Sequence, residues 1–272
     1  MKYIVENENE LCDFLLANLK HKSKNNIKSL LSRGLVSVNG KVQKKCNFKL
    51  SNKDVVEIID NYIMSEKYII PILYEDSYLI VVSKPAGLLS VATEKERTST
   101  LYYIVSSYLK RKNKKAKLFI IHRLDKDTSG IIIFAKNIMV KQKLQANWNE
   151  NVSRFYKAMV HNKALLEAVL KNKIASNVQG GSYISSFGKQ AITCYKLLTF
   201  KDGKSLLDIS IKTGRKNQIR IQLANVNLPI LGDKKYGVKD KYKRLYLHAD
   251  QIIFKHPVTN KGINIKSDFH IF

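Results

Sequence analysis

Asp125 lies in a polar loop, His122–Gly130, between two apolar runs, Phe119–Ile121 and Ile131–Ala135. A carboxylate presented in this way can act as a nucleophile or as a general base, and loops carried on a scaffold are where catalytic groups are commonly displayed. An Asp next to Thr128, Ser129 and Gly130 is also the ordinary composition of a turn, and the segment's composition alone favours the turn. Hydrolysis of a glycosidic bond calls for two carboxylates placed across a sugar. No second carboxylate is evident, although Asp127 and Asp233 stay open. No run of Asp, Glu or His has the spacing of metal ligands. Cys12, Cys46 and Cys194 are scattered and odd in number, so they read as reduced thiols rather than a disulfide or zinc framework.

Elements able to position such a loop are legible on both sides of it. Leu11, Phe14, Leu15 and Leu19 recur at helical spacing, and Ile27, Leu30 and Leu31 repeat the pattern until Gly34 ends it. Residues 35–42 then alternate like a hairpin turning at Asn39-Gly40, and Val55–Ile59 supplies a further strand. From residue 71 onward strands are expected at 72–76, 78–82, 119–121, 131–135, 206–211 and 245–249, with helices near 100–110 and 140–148. The fold class is therefore α+β, a mixed and largely antiparallel sheet flanked by helices and loops, preceded by a small α/β domain. Residues 162–187 give no reading.

Charge narrows the partners. Lys and Arg number 48 against 22 Asp and Glu, a formal net charge of +26 in 272 residues, which is the footprint of a protein that meets a polyanion. Between Lys20 and Lys53 the chain carries ten Lys or Arg residues, Lys24, Lys28, Arg33 and Lys41 among them, and no acid. The runs Lys110–Lys117 and Lys234–Arg244 are basic as well, and suit phosphate contact or a solvated surface equally. Met1–Glu10 has neither the apolar core of a secretory signal nor the pattern of a transit peptide. The apolar runs are strand-sized, too short to span a bilayer, so a cytoplasmic protein without membrane contact is expected.

The segment His122-Arg123-Leu124-Asp125-x-x-Thr128-Ser129-Gly130 resembles the signature of the RluA family of pseudouridine synthases. Family-like segments follow in order: VVSKPAGLL (81–89), RFYKAMV (154–160), GKQAITCYKLL (188–198), TGRKNQIRIQL (213–223), PILGDKKYG (229–237) and RLYLHADQIIFKHPVT (244–259). The segment KSKNNIKSLLSRGLVSVNGKVQ resembles the S4-like (alpha-L) RNA-binding domain. These resemblances imply three parts: residues 1–62 as the RNA-binding domain, 63–70 as a linker and 71–272 as the catalytic domain.

They further imply an isomerase that converts uridine to pseudouridine in structured RNA with no cofactor or metal. In it Asp125 is the catalytic carboxylate, Tyr156 packs on the target base and handles a proton, and Arg220 is the ionic partner of Asp125. Arg123 and His122 contact RNA at the site, with Arg123 filling the gap left by a flipped nucleotide, while Lys24, Lys28, Arg33 and Lys41 contact RNA elsewhere. Large-subunit ribosomal RNA is the expected substrate, transfer RNA the alternative, and a monomer suffices. The rival implied by the same resemblance is an inactive RNA-binding or ribosome-assembly protein. Lys216, Asn217 and Gln222 depart from the family pattern, which puts the hydrogen bonding around Arg220 in question.

Overall fold

The computed structural model describes residues 1–20, 22–58, 62–65, 67–94, 96–177 and 181–267. The chain divides into two compact units, Met1–Tyr62 and the residues from Ile63 onward.

The N-terminal unit holds β1 (Lys2–Ile4), β2 (Asn9–Glu10), α1 (Leu11–Asn18), α2 (Lys24–Ser32), β3 (Val36–Val38), β4 (Lys41–Val42), β5 (Lys49–Leu50) and β6 (Val55–Ile58). Helix α2 starts where the Ser23 side chain accepts from the Asn26 N–H, satisfying one of the donors that a helix start leaves unpaired. It ends at Gly34, whose φ is +70°. Asn39 and Gly40 both take positive φ in the β3–β4 turn, as a tight hairpin requires. The apolar sides of both helices, Leu11, Leu15, Ile27 and Leu31, are buried. One expectation is corrected here: Cys12 and Cys46 form a disulfide contact. Their separation of 34 residues hides this, because only the β2–β5 ladder and the bond from Cys12 N–H to the Cys46 carbonyl bring them together.

The second unit is built on a twelve-stranded sheet among the described residues. Its elements are β7 (Tyr62–Met64), β8 (Ile69–Glu75), β9 (Leu79–Lys84), α3 (Leu101–Lys112), β10 (Phe119–Ile120), β11 (Ser129–Ala135), α4 (Ile138–Ala146) and α5 (Trp148–Asn151). There follow β12 (Val152–His161), β13 (Glu167–Ser176), β14 (Ser182–Ile184), β15 (Lys189–Lys201), β16 (Lys204–Ile211), α6 (Gln218–Asn225), β17 (Leu247–Lys255) and β18 (Gly262–Lys266). The main order is β14-β13-β15-β16-β12-β17-β11-β9-β8-β7, with β10 beside β11 and β18 beside β17. Pairing is antiparallel except between β11 and β17. The stretch 63–70, expected as a linker, carries most of β7 and the start of β8 instead. The basic run from Lys110 begins in the last turn of α3, where cations complement the negative end of the helix.

Strand β11 lies at the centre, and its sequence SGIIIFA is buried throughout, as a strand covered on both faces must be. Ile132 and Phe134 join one core with Tyr156, Ala158, Leu207 and Ile209. Ile131 and Ile133 join the other with Val140 and Leu144 of α4 and with Ile252 and Phe254. Burying a side chain such as Phe134 is worth about 1.5–3 kcal/mol, so this strand is a rigid support for the loop that leads into it. At its N-terminal end Gly130 pairs with Ala249. Its φ is +114°, and a Cβ there would stand within contact of the Ala249 backbone, so only glycine lets the two strands meet.

Candidate active site

The loop before β11 is fastened on both sides of Asp125. The Ser90 hydroxyl donates to the Leu124 carbonyl at 2.7 Å and accepts from the Leu124 N–H at 3.2 Å. The Lys126 carbonyl accepts from Gly87 N–H at 2.9 Å and from the Lys84 ammonium at 2.8 Å. Lys84 is 1% exposed and donates also to the carbonyls of Pro85 and Leu88. Burial pulls its pKa down to about 7, against the attraction of Asp127 and Asp125. With its neighbours tied down, Asp125 is left to face a cavity of about 750 Å³.

Burial raises the Asp125 pKa, and Arg220, Lys216, Lys84 and Arg123 only partly offset it. Arg220 forms an ion pair with Asp125, its Nη1 lying 3.9 Å from Oδ2. Arg220, however, is anchored to another acid. Its Nε and Nη2 donate to the two oxygens of Asp233 at 2.8 and 2.7 Å, and Nη1 donates to Asn217 Oδ1 at 3.1 Å. Burial opposes both charges, yet their pairing holds the Arg220 pKa above and the Asp233 pKa below the ordinary values. Arg220 therefore reaches Asp125 as an already oriented cation. Asn217 also donates to the Tyr236 hydroxyl at 3.1 Å, and Gln222, fully buried, accepts from Thr193 and donates to the Leu170 and Ala191 carbonyls and to Asn172. Two of the departures from the family pattern, Asn217 and Gln222, thus have their side chains hydrogen-bonded, the first beside Arg220 and the second to β13 and β15.

Tyr156 enters the cavity from β12, on the buried face of an alternating strand. The β12–β17 register shifts between Phe155 and Tyr156, a bulge of the kind that re-aims a side chain beside an active site. Burial, with a smaller contribution from Asp125 and opposed by Arg154, pushes its pKa up to about 12. The ring therefore carries a phenol that can donate a proton but does not take one near neutral pH.

The remaining expected residues fall into three groups. Arg123 is exposed at the cavity wall. His122 also lines the cavity and is half-buried; its Nε2 accepts from Ile133 N–H at 3.1 Å, its ring lies 4.8 Å from that of Trp148, and burial lowers its pKa to about 3. Lys24, Lys28, Arg33 and Lys41 are exposed on the N-terminal unit. Of the two carboxylates left open, Asp233 is held by Arg220 and Asp127 is exposed outside the cavity lining. Among the described residues Asp125 is the one carboxylate lining that cavity. Sequence reasoning passed over Lys84, Ser90 and Arg154, and gave Asp233 no part as the partner of Arg220. Each stands inside or next to a recognisable segment, but only tertiary contact gives it a task.

Residues 78–225 match the family model for RNA pseudouridylate synthase. An uncharacterized RNA pseudouridine synthase of Mycoplasma genitalium is 32% identical, covering 95% of this chain and 87% of the relative. The ribosomal large subunit pseudouridine synthase C of Buchnera aphidicola is 30% identical over 96% of this chain and 90% of its own. Human RNA pseudouridylate synthase domain containing 4 shares the fold at a TM-score of 0.62 with 24% identity, covering 74% of this chain and 89% of that one. Among the described residues no helix is long and apolar enough to cross a membrane.

Proposed function

The chain belongs to the RNA pseudouridylate synthase family, whose members act on RNA, and from that membership we propose that Asp125 is its catalytic carboxylate and large-subunit ribosomal RNA its substrate. The observation that carries the assignment is the lone carboxylate in the cavity, fastened on both sides and faced by the oriented Arg220. The substrate is inferred from the names of relatives such as the Buchnera aphidicola enzyme.

Conversion of uridine to pseudouridine breaks the bond from C1′ to N1, turns the uracil and joins C1′ to C5. The proton leaves C5 and N1 gains one. The Asp125 anion serves either by attacking C1′ or by taking the C2′ proton so that a glycal forms, and in both routes it is regenerated once the new bond exists. Tyr156 holds the detached base by ring contact and remains a phenol, and the regenerated Asp125 anion is assigned the C5 proton. Arg220 keeps that carboxylate charged in a site whose burial favours the neutral acid. Water must be kept from the activated sugar, since otherwise the outcome is hydrolysis, a task we assign to the cavity closed over by the bound RNA.

The target must first leave its stack, at a cost of about a few kcal/mol, and Arg123 at the cavity wall is suited to fill the gap. Residues 1–62 are assigned as an S4-like RNA-binding domain, supported by the exposed Lys24, Lys28, Arg33 and Lys41, and residues 71–272 as the catalytic domain. Asp125, Tyr156 and Arg220 all come from one chain, so a monomer suffices, acting in the cytoplasm where ribosomal RNA is matured.

Tritium release from transcripts of large-subunit ribosomal RNA labelled at uridine C5 tests the assignment. The intact chain is expected to release tritium without added metal or cofactor, and Asp125→Asn to lose about 10²–10⁴-fold or more of that rate. Equal release by both proteins removes Asp125 from the chemistry. Binding by both with release by neither points to another RNA, and transfer RNA is the control to run beside it.

A further inference from the structure

Arg154 precedes Tyr156 by two residues on β12, shares its buried face and is 7% exposed. Its Nη2 donates to Asn149 Oδ1 at 2.8 Å, and its guanidinium carbon lies 5.7 Å from the Trp148 ring centroid. Among the described residues its Nε has no hydrogen-bond partner, and no carboxylate pairs with it. The other buried cations of the site are satisfied, Arg220 by Asp233 and Lys84 by three carbonyls. A buried guanidinium left without an anion is poised for one supplied from outside.

Arg154 lines the cavity, and its Nη1 is faced by Gly214. A Cβ added to Gly214 would stand 3.1 Å from that nitrogen, and Gly214 is itself exposed and lines the cavity. Arg215 and Lys216, next in the chain, line the same wall. Arg154 and Tyr156 stand at alternate positions on the same buried face of β12, and both line the cavity that Asp125 lines.

We propose that Arg154, with its approach kept open by Gly214, binds the backbone phosphate of the nucleotide adjacent to the flipped uridine. The proposal rests on the reading that the uracil packs against Tyr156 with its sugar toward Asp125. The next anion along the RNA is then a phosphate, and a guanidinium recognises its oxygens as a fork of donors. A side chain at position 214 would block that approach without altering charge.

The test follows kcat and KM for tritium release from C5-labelled large-subunit ribosomal RNA transcripts across a range of salt. The proteins compared are the full chain, Arg154→Gln, Arg154→Lys and Gly214→Val. Arg154→Gln is expected to raise KM about tenfold or more and to make the plot of log kcat/KM against log salt shallower by about 0.7–0.9, the loss of one phosphate contact. Arg154→Lys should restore the slope, and Gly214→Val should raise KM several-fold. A fall in kcat with the salt slope unchanged would place Arg154 on the base or in the fold and overturn the proposal. So would an unchanged KM in Gly214→Val, which decides the matter even if Arg154→Gln does not fold. Absence of release by the unaltered chain would instead fail the functional reading itself.

Discussion

Burial raises the Asp125 pKa although Arg220, Lys216, Lys84 and Arg123 all act against it, so the surroundings resist the charged form more than water does. The consequence for activity has a definite sign. The proposed role needs the anion, so kcat/KM of the free enzyme should fall on acidification through a pKa above the ordinary carboxylate value, and a pH–rate profile checks this. Asp125→Asn removes a charge the fold resists, and its melting temperature at neutral pH is expected to equal or exceed that of the native chain while activity is lost. A marked drop in melting temperature would show that the anion stabilises the fold. Asp233 is the opposite case. It is 2% exposed, paired bidentately with Arg220 and held below the usual carboxylate pKa. Its stabilising contribution is present above the ordinary carboxylate value and is lost only as pH falls through the depressed one. Asp233→Asn should cost about 3–5 kcal/mol by leaving Arg220 buried without its partner, read as a lower urea midpoint together with reduced tritium release.

Those side chains depend on elements that the sequence reveals unevenly. The Asn39-Gly40 hairpin and the central strand β11 are legible because local chemistry and tertiary environment ask for the same residues there. Strands β12, β13 and β15 are harder to read, since Arg154 stands on a buried side and Val169, Leu198 and Phe200 are exposed, which blurs the hydrophobic period. Asp125 is visible as chemistry only through the family motif, because a turn uses the same residues. Lys84 could not be found from residue type, since a lysine is expected at the surface and this one serves as a buried donor to three carbonyls. The support of the loop is correspondingly exacting. Ser90→Ala leaves the buried N–H and carbonyl of Leu124 without their partner, which should cost about 1–3 kcal/mol, and kcat should fall further than KM rises because the displaced part is the one beside Asp125. Unaltered kcat in a folded Ser90→Ala protein would show that the loop is held well enough without it.

At the scale of the molecule, a net charge of +26 attracts any RNA, and the attraction carries no sequence information. Discrimination must come from the site that receives the flipped uridine, while the basic surface sets how long the enzyme stays near it. The charges are distributed in a way that separates the two tasks. In the N-terminal unit Lys24, Lys28, Arg33 and Lys41 are exposed and no acid interrupts the sequence from Lys20 to Lys53. In the second unit the cations of the cavity surround a single carboxylate among the described residues. Replacing Lys24, Lys28, Arg33 and Lys41 together by Gln in the full chain should therefore raise KM for ribosomal RNA and flatten its salt dependence by about 0.7–0.9 for each phosphate contact removed, while the position of the modified uridine stays the same. Tritium-release kinetics at several salt concentrations measure the first effect, and mapping of the product RNA measures the second. A changed modification site would mean that the N-terminal unit selects the target as well as holding the RNA. An unchanged salt slope would mean that RNA passes over some other surface of the protein.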